Sequence, residues 1–130
     1  FVFRNFPLES IHPNARVGAE AAEAAGAQGK YWQMHDLLYE KQADWVSSQT
    51  AFDIFVGYAT GLGLDADKFK LSVQQHQFAD VIDADLKDGN SAKVEGTPTF
   101  FINGELFAPN PKTIPTYQDF KKKIDEELAK

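Results

Sequence analysis

The side chains of this 130-residue sequence that could carry out chemistry are three histidines and a few closely spaced carboxylates. The histidines are His12, His35 and His76. They lie far apart in the chain and lack the short spacing of metal-binding histidines on one helix, so we predict no metal site. The pairs Asp83/Asp85 and Glu126/Glu127 could act as general acids and bases. We expect both pairs to lie on solvated helix faces instead, and we predict no catalytic residue in this chain.

The composition excludes several classes of function. The chain contains no cysteine, so disulfide bonds, thiolate catalysis and Cys-ligated metals are excluded for these 130 residues. A net charge of −6 argues against a nucleic-acid partner, which requires a basic surface. No apolar run approaches the roughly 20 residues that a membrane-spanning helix needs. No phosphate-binding glycine loop or nucleophile elbow is present, and we predict no cofactor.

The stretch from Gly96 to Gly104 combines a proline, a short β-prone run and an Asn-Gly turn. Thr97-Pro98 opens the run, and an Xaa-Pro bond at such a place is one of the few where a cis peptide is accessible. Asn103-Gly104, followed by a second β-prone run, predicts a tight type I′ hairpin. Taken alone, Pro98 is a strand-opening proline that sets a turn.

The pattern along the rest of the chain predicts one strand, four or five helices, the hairpin and a final helix. Phe1–Phe6 is aromatic and β-branched, which predicts a strand covered on both faces. Helices are predicted over Ala15–Ala27, about Lys30–Gln42, from a cap at Thr50 to Gly61, from a cap at Asp65, around Phe78–Leu86 and from a cap at Thr116.

Apolar stripes predict which faces of these helices are buried. In the Ala-rich helix the predicted buried stripe is Val17, Ala21, Ala24 and Ala25, and we expect Glu20 and Glu23 to face water. The predicted stripes of the next two helices include Met34 and Phe55, respectively. In the last helix the predicted stripe contains aromatic and aliphatic residues at helical spacing, which are Tyr117, Phe120, Ile124 and Leu128. The segment Asp44–Ser48 is predicted to be a connector.

Several of these motifs together resemble one protein family. The stretch Gly96–Gly104 resembles the cis-proline loop and following hairpin of thioredoxin-like proteins. The segments Phe3–Leu8, His12–Ala15 and Ala21–Ala25 are similar to the DsbA-like branch, as is the helical part around Tyr31-Trp32. The resemblance covers essentially the whole chain. It implies an α/β thioredoxin-like (DsbA-like) fold: a single domain of residues 1–130 with a helical insertion at about 12–93 and a C-terminal hairpin and helix at about 97–130.

The family pattern also contains parts that have no counterpart here. In the family a Cys-x-x-Cys pair lies at a helix N-terminus, where the helix dipole lowers the thiolate pKa. Neither that helix nor the family's first strand is matched. That strand would lie between the segments resembling Phe1–Phe6 and Thr99–Ile102, whose edges it would pair. We therefore expect the N-terminal βα portion to be missing, and a partner chain, a swapped segment or further residues to complete the sheet.

The resemblance implies thiol–disulfide exchange on secreted proteins in a periplasmic or otherwise extracytoplasmic compartment. The redox cysteines would lie outside this chain, which alone would not be an enzyme. Gly96, Thr97 and Pro98 would bind extended protein or peptide substrates by strand addition. One alternative is a non-catalytic thioredoxin-like module that binds extended peptides or a partner domain, and another is such a domain fused to a membrane transporter or reductase. The residues do not distinguish an oxidase, an isomerase and a reductase.

Two tryptophans leave a choice between packing and binding. We expect Trp32 and Trp45 to pack in the core. The alternative, which the resemblance implies, is that they line a hydrophobic peptide groove.

Overall fold

The computed structural model describes all 130 residues, which divide into two compact units, Phe1–Ser91 and Ala92–Lys130. The first unit is helical, and the second contains a β-hairpin and a helix, so the chain is mixed α/β. The elements in chain order are α1 (Ala15–Gly26), α2 (Tyr31–Glu40), α3 (Gln42–Trp45), α4 (Ala51–Gly61), α5 (Ala66–Gln74), α6 (Ala79–Ser91), β1 (Phe101–Ile102), β2 (Glu105–Leu106) and α7 (Tyr117–Leu128). No helix is both long and apolar enough to cross a membrane.

Helix α1 lies at the centre of the first unit and contacts α2, α4, α5 and α6. Its alanines Ala21 and Ala25 are fully buried, and such small side chains allow neighbouring helices to approach closely. The larger core side chains come from the surrounding helices, with Met34, Phe55 and Phe69 also fully buried. The predicted stripe of the Ala-rich helix is therefore confirmed as the packing face of this unit.

Of the three caps predicted from the sequence, two are confirmed and one is not. Asp65 caps α5 by accepting a hydrogen bond from the Lys68 N–H, and Thr116 caps α7 in a capping box. Thr50 precedes α4 without a side-chain cap. Asn14 precedes α1, but its amide donates to the carbonyls of Trp45 (2.7 Å) and Ser48 (2.8 Å) instead. The predicted connector Asp44–Ser48 overlaps the end of the single-turn helix α3, and Asn14 ties this segment to the start of α1.

The strand predicted for Phe1–Phe6 is wrong, because no other segment pairs with it. A strand needs a neighbour for its main-chain hydrogen bonds, and this segment makes none to another backbone group. It is held by side chains instead. The Asp85 carboxylate accepts hydrogen bonds from the main-chain N–H of Asn5 (2.9 Å), the side-chain amide of Asn5 (3.0 Å) and the guanidinium of Arg4 (2.9 Å). Asp85 is consequently buried, which corrects the prediction that it lies on a solvated helix face.

Glu20 was expected to face water but is 2% exposed. Both of its carboxylate oxygens lie 3.0 Å from His76 Nδ1, and one lies 3.6 Å from Arg16 Nε. Burial of a carboxylate is favourable only when it is paired and hydrogen-bonded, and these two partners meet that requirement. The partner His76 belongs to the turn between α5 and α6, 56 residues away in the chain.

In the second unit the predicted hairpin is confirmed. Phe101 pairs with Leu106 and Ile102 pairs with Glu105 in an antiparallel ladder. Asn103 and Gly104 both have positive φ values, 51° and 83°, as a type I′ turn requires. The α7 stripe is only partly used. Phe120 packs against the rings of the hairpin, whereas its other members are exposed, which are Tyr117, Ile124 and Leu128.

Candidate functional site

The loop Gly96–Thr99 leads directly into β1. The Thr97-Pro98 peptide bond is cis. Thr97 and Pro98 are exposed, whereas Gly96 and Thr99 on either side are half-buried. The loop therefore has a solvent-facing tip formed by Thr97 and Pro98, while Gly96, the third residue that the resemblance implies for substrate binding, is half-buried.

Hydrogen bonding in this loop leaves the main chain of Thr97 free. The Thr99 hydroxyl donates to the Gly96 carbonyl at 2.6 Å. Neither the N–H nor the C=O of Thr97 bonds to another backbone group. An exposed residue with both main-chain groups unpaired can form hydrogen bonds with an extended peptide placed beside it.

A free strand edge follows the loop. β1 pairs only with β2, and the Phe107 N–H donates to the Phe100 carbonyl at 2.8 Å. Main-chain groups of successive residues in a strand point to opposite sides. Since Phe100 directs its carbonyl towards β2, Thr99 and Phe101 direct their N–H and C=O groups to the unpaired edge.

An exposed apolar stripe on α7 lies on the same side as this free edge. Phe120 packs beneath Phe100, and Glu127 accepts a hydrogen bond from Asn103 at the turn, so α7 runs in the direction of β1. The exposed residues of the stripe lie about 40–80° further round the helix than Phe120, clockwise as viewed from its N-terminus. The Phe100 side chain faces α7 while its carbonyl faces β2, and β1 and α7 run in the same direction. For L-residues this orientation places β2 anticlockwise of Phe120, so the stripe lies beneath the opposite, unpaired edge of β1. A further strand on the free edge of β1 would cover the stripe.

Glu127 in α7 binds the hairpin turn through Asn103 and also forms salt bridges with two lysines close to it in the chain. It accepts from Lys123 (2.7 Å), Lys130 (2.6 Å) and Asn103 (3.0 Å). These bonds, in that order, lower the pKa of Glu127 to about 2. At the other end of α7, hydrogen bonds from Thr116 lower the pKa of Asp119. Glu127 therefore has a structural role, and its neighbour Glu126 is exposed as expected.

The three histidines lie in different surroundings. His12 is exposed just before α1. The His35 ring lies 4.9 Å from the rings of Phe3 and Tyr39, and its Nδ1 is 3.0 Å from an Asp36 carboxylate oxygen. His76 contacts Glu20, as described above. The described contacts of His35 and His76 involve different residues, and none of them joins two histidines.

The two tryptophans separate into a core residue and a surface residue. Trp45 is 7% exposed, donates from Nε1 to the Leu38 carbonyl at 2.9 Å and packs edge-on against Phe55. Trp32 is 46% exposed and lies edge-on to Phe3. Core packing is confirmed for Trp45 and is wrong for Trp32.

A cavity in the first unit borders the buried Glu20. Its volume is about 310 Å³, and its polar lining comes from Arg16, Glu20, Gln74 and His76. A hydrogen bond to Asp83 raises the pKa of Arg16, which keeps its charge beside the carboxylates. The sequence signal for this cluster was the position of Glu20 four residues after Arg16 and three after Val17, on the edge of the apolar stripe.

Comparison with known proteins identifies the family. The model of a family described as Thioredoxin matches residues 1–126, almost the entire chain. The chain therefore belongs to this thioredoxin family, which confirms the thioredoxin-like fold class predicted from the motifs.

The similar curated proteins are much longer than this chain. It is 43% identical over 104 residues to the Na(+)/H(+) antiporter NhaA 1 of Salinispora arenicola, a match that covers 80% of this chain and 15% of that protein. It is 40% identical to the Na(+)/H(+) antiporter NhaA 3 of Salinispora tropica, with the same coverage. It is 37% identical over 106 residues to the Na(+)/H(+) antiporter NhaA 1 of Mycolicibacterium vanbaalenii, and this match covers 80% of this chain and 16% of that protein. No solved structure matches. The chain is thus a thioredoxin-like domain homologous to one segment of these proteins.

Proposed function

We propose that this chain binds extended polypeptide through the main chain of Thr97, as part of a DsbA-like thiol–disulfide oxidoreductase. The observation that carries the proposal is the exposed Thr97, whose N–H and C=O have no backbone partner. Gly96 and Pro98 flank it and shape the loop. Main-chain pairing selects for an extended conformation and only weakly for sequence, which suits an enzyme that acts on many proteins.

The redox step in this proposal takes place on cysteines outside these 130 residues, since the chain contains none. A thiolate attacks one sulfur of a substrate disulfide, forms a mixed disulfide and releases the other sulfur as a thiolate. The chain described here holds the polypeptide on either side of that disulfide. The proposal includes a periplasmic or otherwise extracytoplasmic location, because the resembling oxidoreductases act on secreted proteins.

A strand from outside this chain completes the sheet in our proposal. Two features of the second unit support it: the unpaired edge at Thr99 and Phe101, and the exposed α7 stripe on the same side. A strand added to that edge would satisfy the main-chain groups and place alternate side chains over Ile124 and its neighbours. A partner chain, a swapped segment or further residues of the same protein could supply it.

Peptide binding can be tested on the 130-residue chain itself. Titration of the ¹⁵N-labelled chain with the peptide acetyl-Gly-Thr-Val-Thr-Val-Gly-amide should shift the Thr97 amide signal with millimolar affinity, since each main-chain bond contributes only about 0.5–1.5 kcal/mol. Two N-methylated versions of the peptide provide the matched controls. In each, the main-chain nitrogens that face one edge of the extended peptide are methylated, so that only the other edge can donate hydrogen bonds. One should lose binding and the other keep it. Shifts that avoid Thr97, or equal binding of both methylated peptides, would contradict the proposal.

The redox part needs the full protein that carries this segment. We expect it to exchange disulfides with a model substrate, and we expect replacement of its cysteine pair by serine to abolish exchange while leaving peptide binding at Thr97 intact. A full protein without such a pair would instead favour the non-catalytic module that binds extended peptides.

A second candidate is favoured by the names of the relatives. Because about 80% of this chain matches a segment of proteins named Na(+)/H(+) antiporters, the domain could be fused to a membrane antiporter. Sequencing the gene on both sides of this segment tests the fusion, since an antiporter would add a series of apolar segments of about 20 residues each. Their absence from the gene would leave the oxidoreductase as the proposal.

A further inference from the structure

The loop that carries Thr97 is closed by the side chain of Thr99. Its hydroxyl donates to the Gly96 carbonyl at 2.6 Å and so joins the two ends of a four-residue loop. The hydroxyl is part of a half-buried residue, whereas the tip between the two ends is exposed. The bond thus lies on the inner side of the loop, away from the surface that a peptide would contact.

This bond acts on the same peptide group that would donate to a bound polypeptide. The Gly96 carbonyl and the Thr97 N–H belong to one planar peptide unit, in which they point in opposite directions. Fixing the carbonyl towards Thr99 therefore fixes the Thr97 N–H in the opposite direction.

The residue before that unit gives it little rigidity of its own. Gly96 has no side chain, and no atom lies within 4 Å of the position that its Cβ would occupy. Glycine rotates more freely about φ and ψ than any other residue, so the peptide unit needs an external hold. The Thr99 hydroxyl is the group that supplies it.

We propose that Thr99 is the positioning residue of the peptide site: its hydroxyl orients the Thr97 N–H for pairing with an extended polypeptide. This inference rests on the proposed function, in which Thr97 is the contact residue. Thr99 touches no substrate in this arrangement and acts only through the Gly96–Thr97 peptide unit.

The test compares Thr99→Val, which keeps the shape but removes the hydroxyl, with Thr99→Ser, which keeps the hydroxyl. In the titration with acetyl-Gly-Thr-Val-Thr-Val-Gly-amide, we expect Thr99→Val to bind roughly three- to tenfold more weakly than the unmodified chain, the effect of one lost hydrogen bond. Thr99→Ser should bind within about twofold of the unmodified chain. Thr113→Val, at an exposed threonine elsewhere in the second unit, is the matched control and should bind normally.

A second measurement needs no ligand. In the free chain, the ¹⁵N heteronuclear NOE of the Thr97 amide should fall in Thr99→Val and stay unchanged in Thr99→Ser, while the thermal midpoints of both remain close to that of the unmodified chain. Equal NOE values in all three chains would overturn the role of Thr99. The titration separates the two proposals. If the unmodified chain binds the peptide and Thr99→Val binds equally well, the role of Thr99 is again overturned and the proposed function stands. If neither the unmodified chain nor any variant binds, the proposed function fails, and the NOE comparison alone decides whether Thr99 orders the loop.

Discussion

At the scale of single residues, Gly89 shows where the packing of the first unit tolerates no side chain. A Cβ at Gly89 in α6 would lie 2.7 Å from two ring carbons of Phe6. Gly57, in the middle of α4, has no atom within 4 Å of the corresponding position. The same substitution should therefore have opposite effects at the two sites.

We expect Gly89→Ala to lower the free energy of unfolding by about 1–2 kcal/mol, because overpacking outweighs the gain in helix propensity. Gly57→Ala should raise it by about 0.5–1 kcal/mol, since only the propensity gain applies there. Urea unfolding followed by far-UV circular dichroism measures both changes. Stabilisation by both substitutions would mean that the Phe6 ring moves aside at little cost.

Residue-level burial was the property that the sequence predicted least well. Periodicity identified Met34 and Phe55 as core residues, because apolar side chains at helical spacing lie on one face of a helix and that face packs into the core. It could not identify Glu20 and Asp85 as buried, because their partners come from segments 56 and about 80 residues away. A charged residue is buried when a distant partner meets it, and a local pattern does not contain that information.

At the scale of elements, the hairpin and α7 are joined at both ends. The aromatic contact of Phe120 with Phe100 holds the open end of the hairpin, and Glu127 holds the turn through Asn103. The Asn-Gly turn and the Thr116 cap were predictable because their geometry depends on residues adjacent in the chain. The absence of a strand at Phe1–Phe6 was not predictable, because a strand forms only where a neighbouring segment pairs with it.

The bonds to Glu127 predict how this pair of elements responds to acid. Because its pKa is lowered from 4.5 to about 2, the unfolded chain binds a proton at a higher pH than the folded chain. The contribution of Glu127 to stability is therefore complete above about pH 4.5 and is lost as the pH falls towards 2. Protonation there should release the turn from α7.

The measurement is the pH dependence of unfolding between pH 5 and 2, with the Asn103 side-chain NH₂ signals as a local probe of the turn. We expect Glu127→Gln to be less stable than the unmodified chain at pH 6 and to lose less stability on acidification. Glu126→Gln, at the exposed neighbouring residue, is the matched control and should keep the steeper pH dependence. Identical slopes for both variants would exclude Glu127 as the acid-sensitive tie.

At the scale of the whole molecule, charge and burial are distributed unequally between the two units. Residues 1–91 hold 7 Lys or Arg and 13 Asp or Glu, and so carry the entire net charge of −6; residues 92–130 hold 6 of each sign. All buried residues belong to the first unit, and none belongs to the second. A unit of fewer than about 40 residues without a buried side chain has little hydrophobic stabilisation of its own.

This difference predicts two levels of protection in native-state hydrogen exchange. Amides in the middle of α1 and α4 should exchange only through global unfolding, because they belong to the packed core. Amides of β1, β2 and α7 should exchange through local opening. We expect their protection factors to be about tenfold to a hundredfold lower, which corresponds to an opening free energy lower by about 1.4–2.8 kcal/mol. The comparison is made by NMR on the 130-residue chain at constant pH.

A strand added to the free edge of β1 should reduce this difference in a position-specific way. The Thr99 and Phe101 amides point to that edge, so pairing should slow their exchange most, and burial of Ile124 and Leu128 beneath the new strand should slow exchange in α7 as well. Ile102 donates towards β2 and serves as the internal reference within the same strand. If the full protein protected Thr99 and Phe101 no better than the 130-residue chain does, the free edge would not be the place where the sheet is completed.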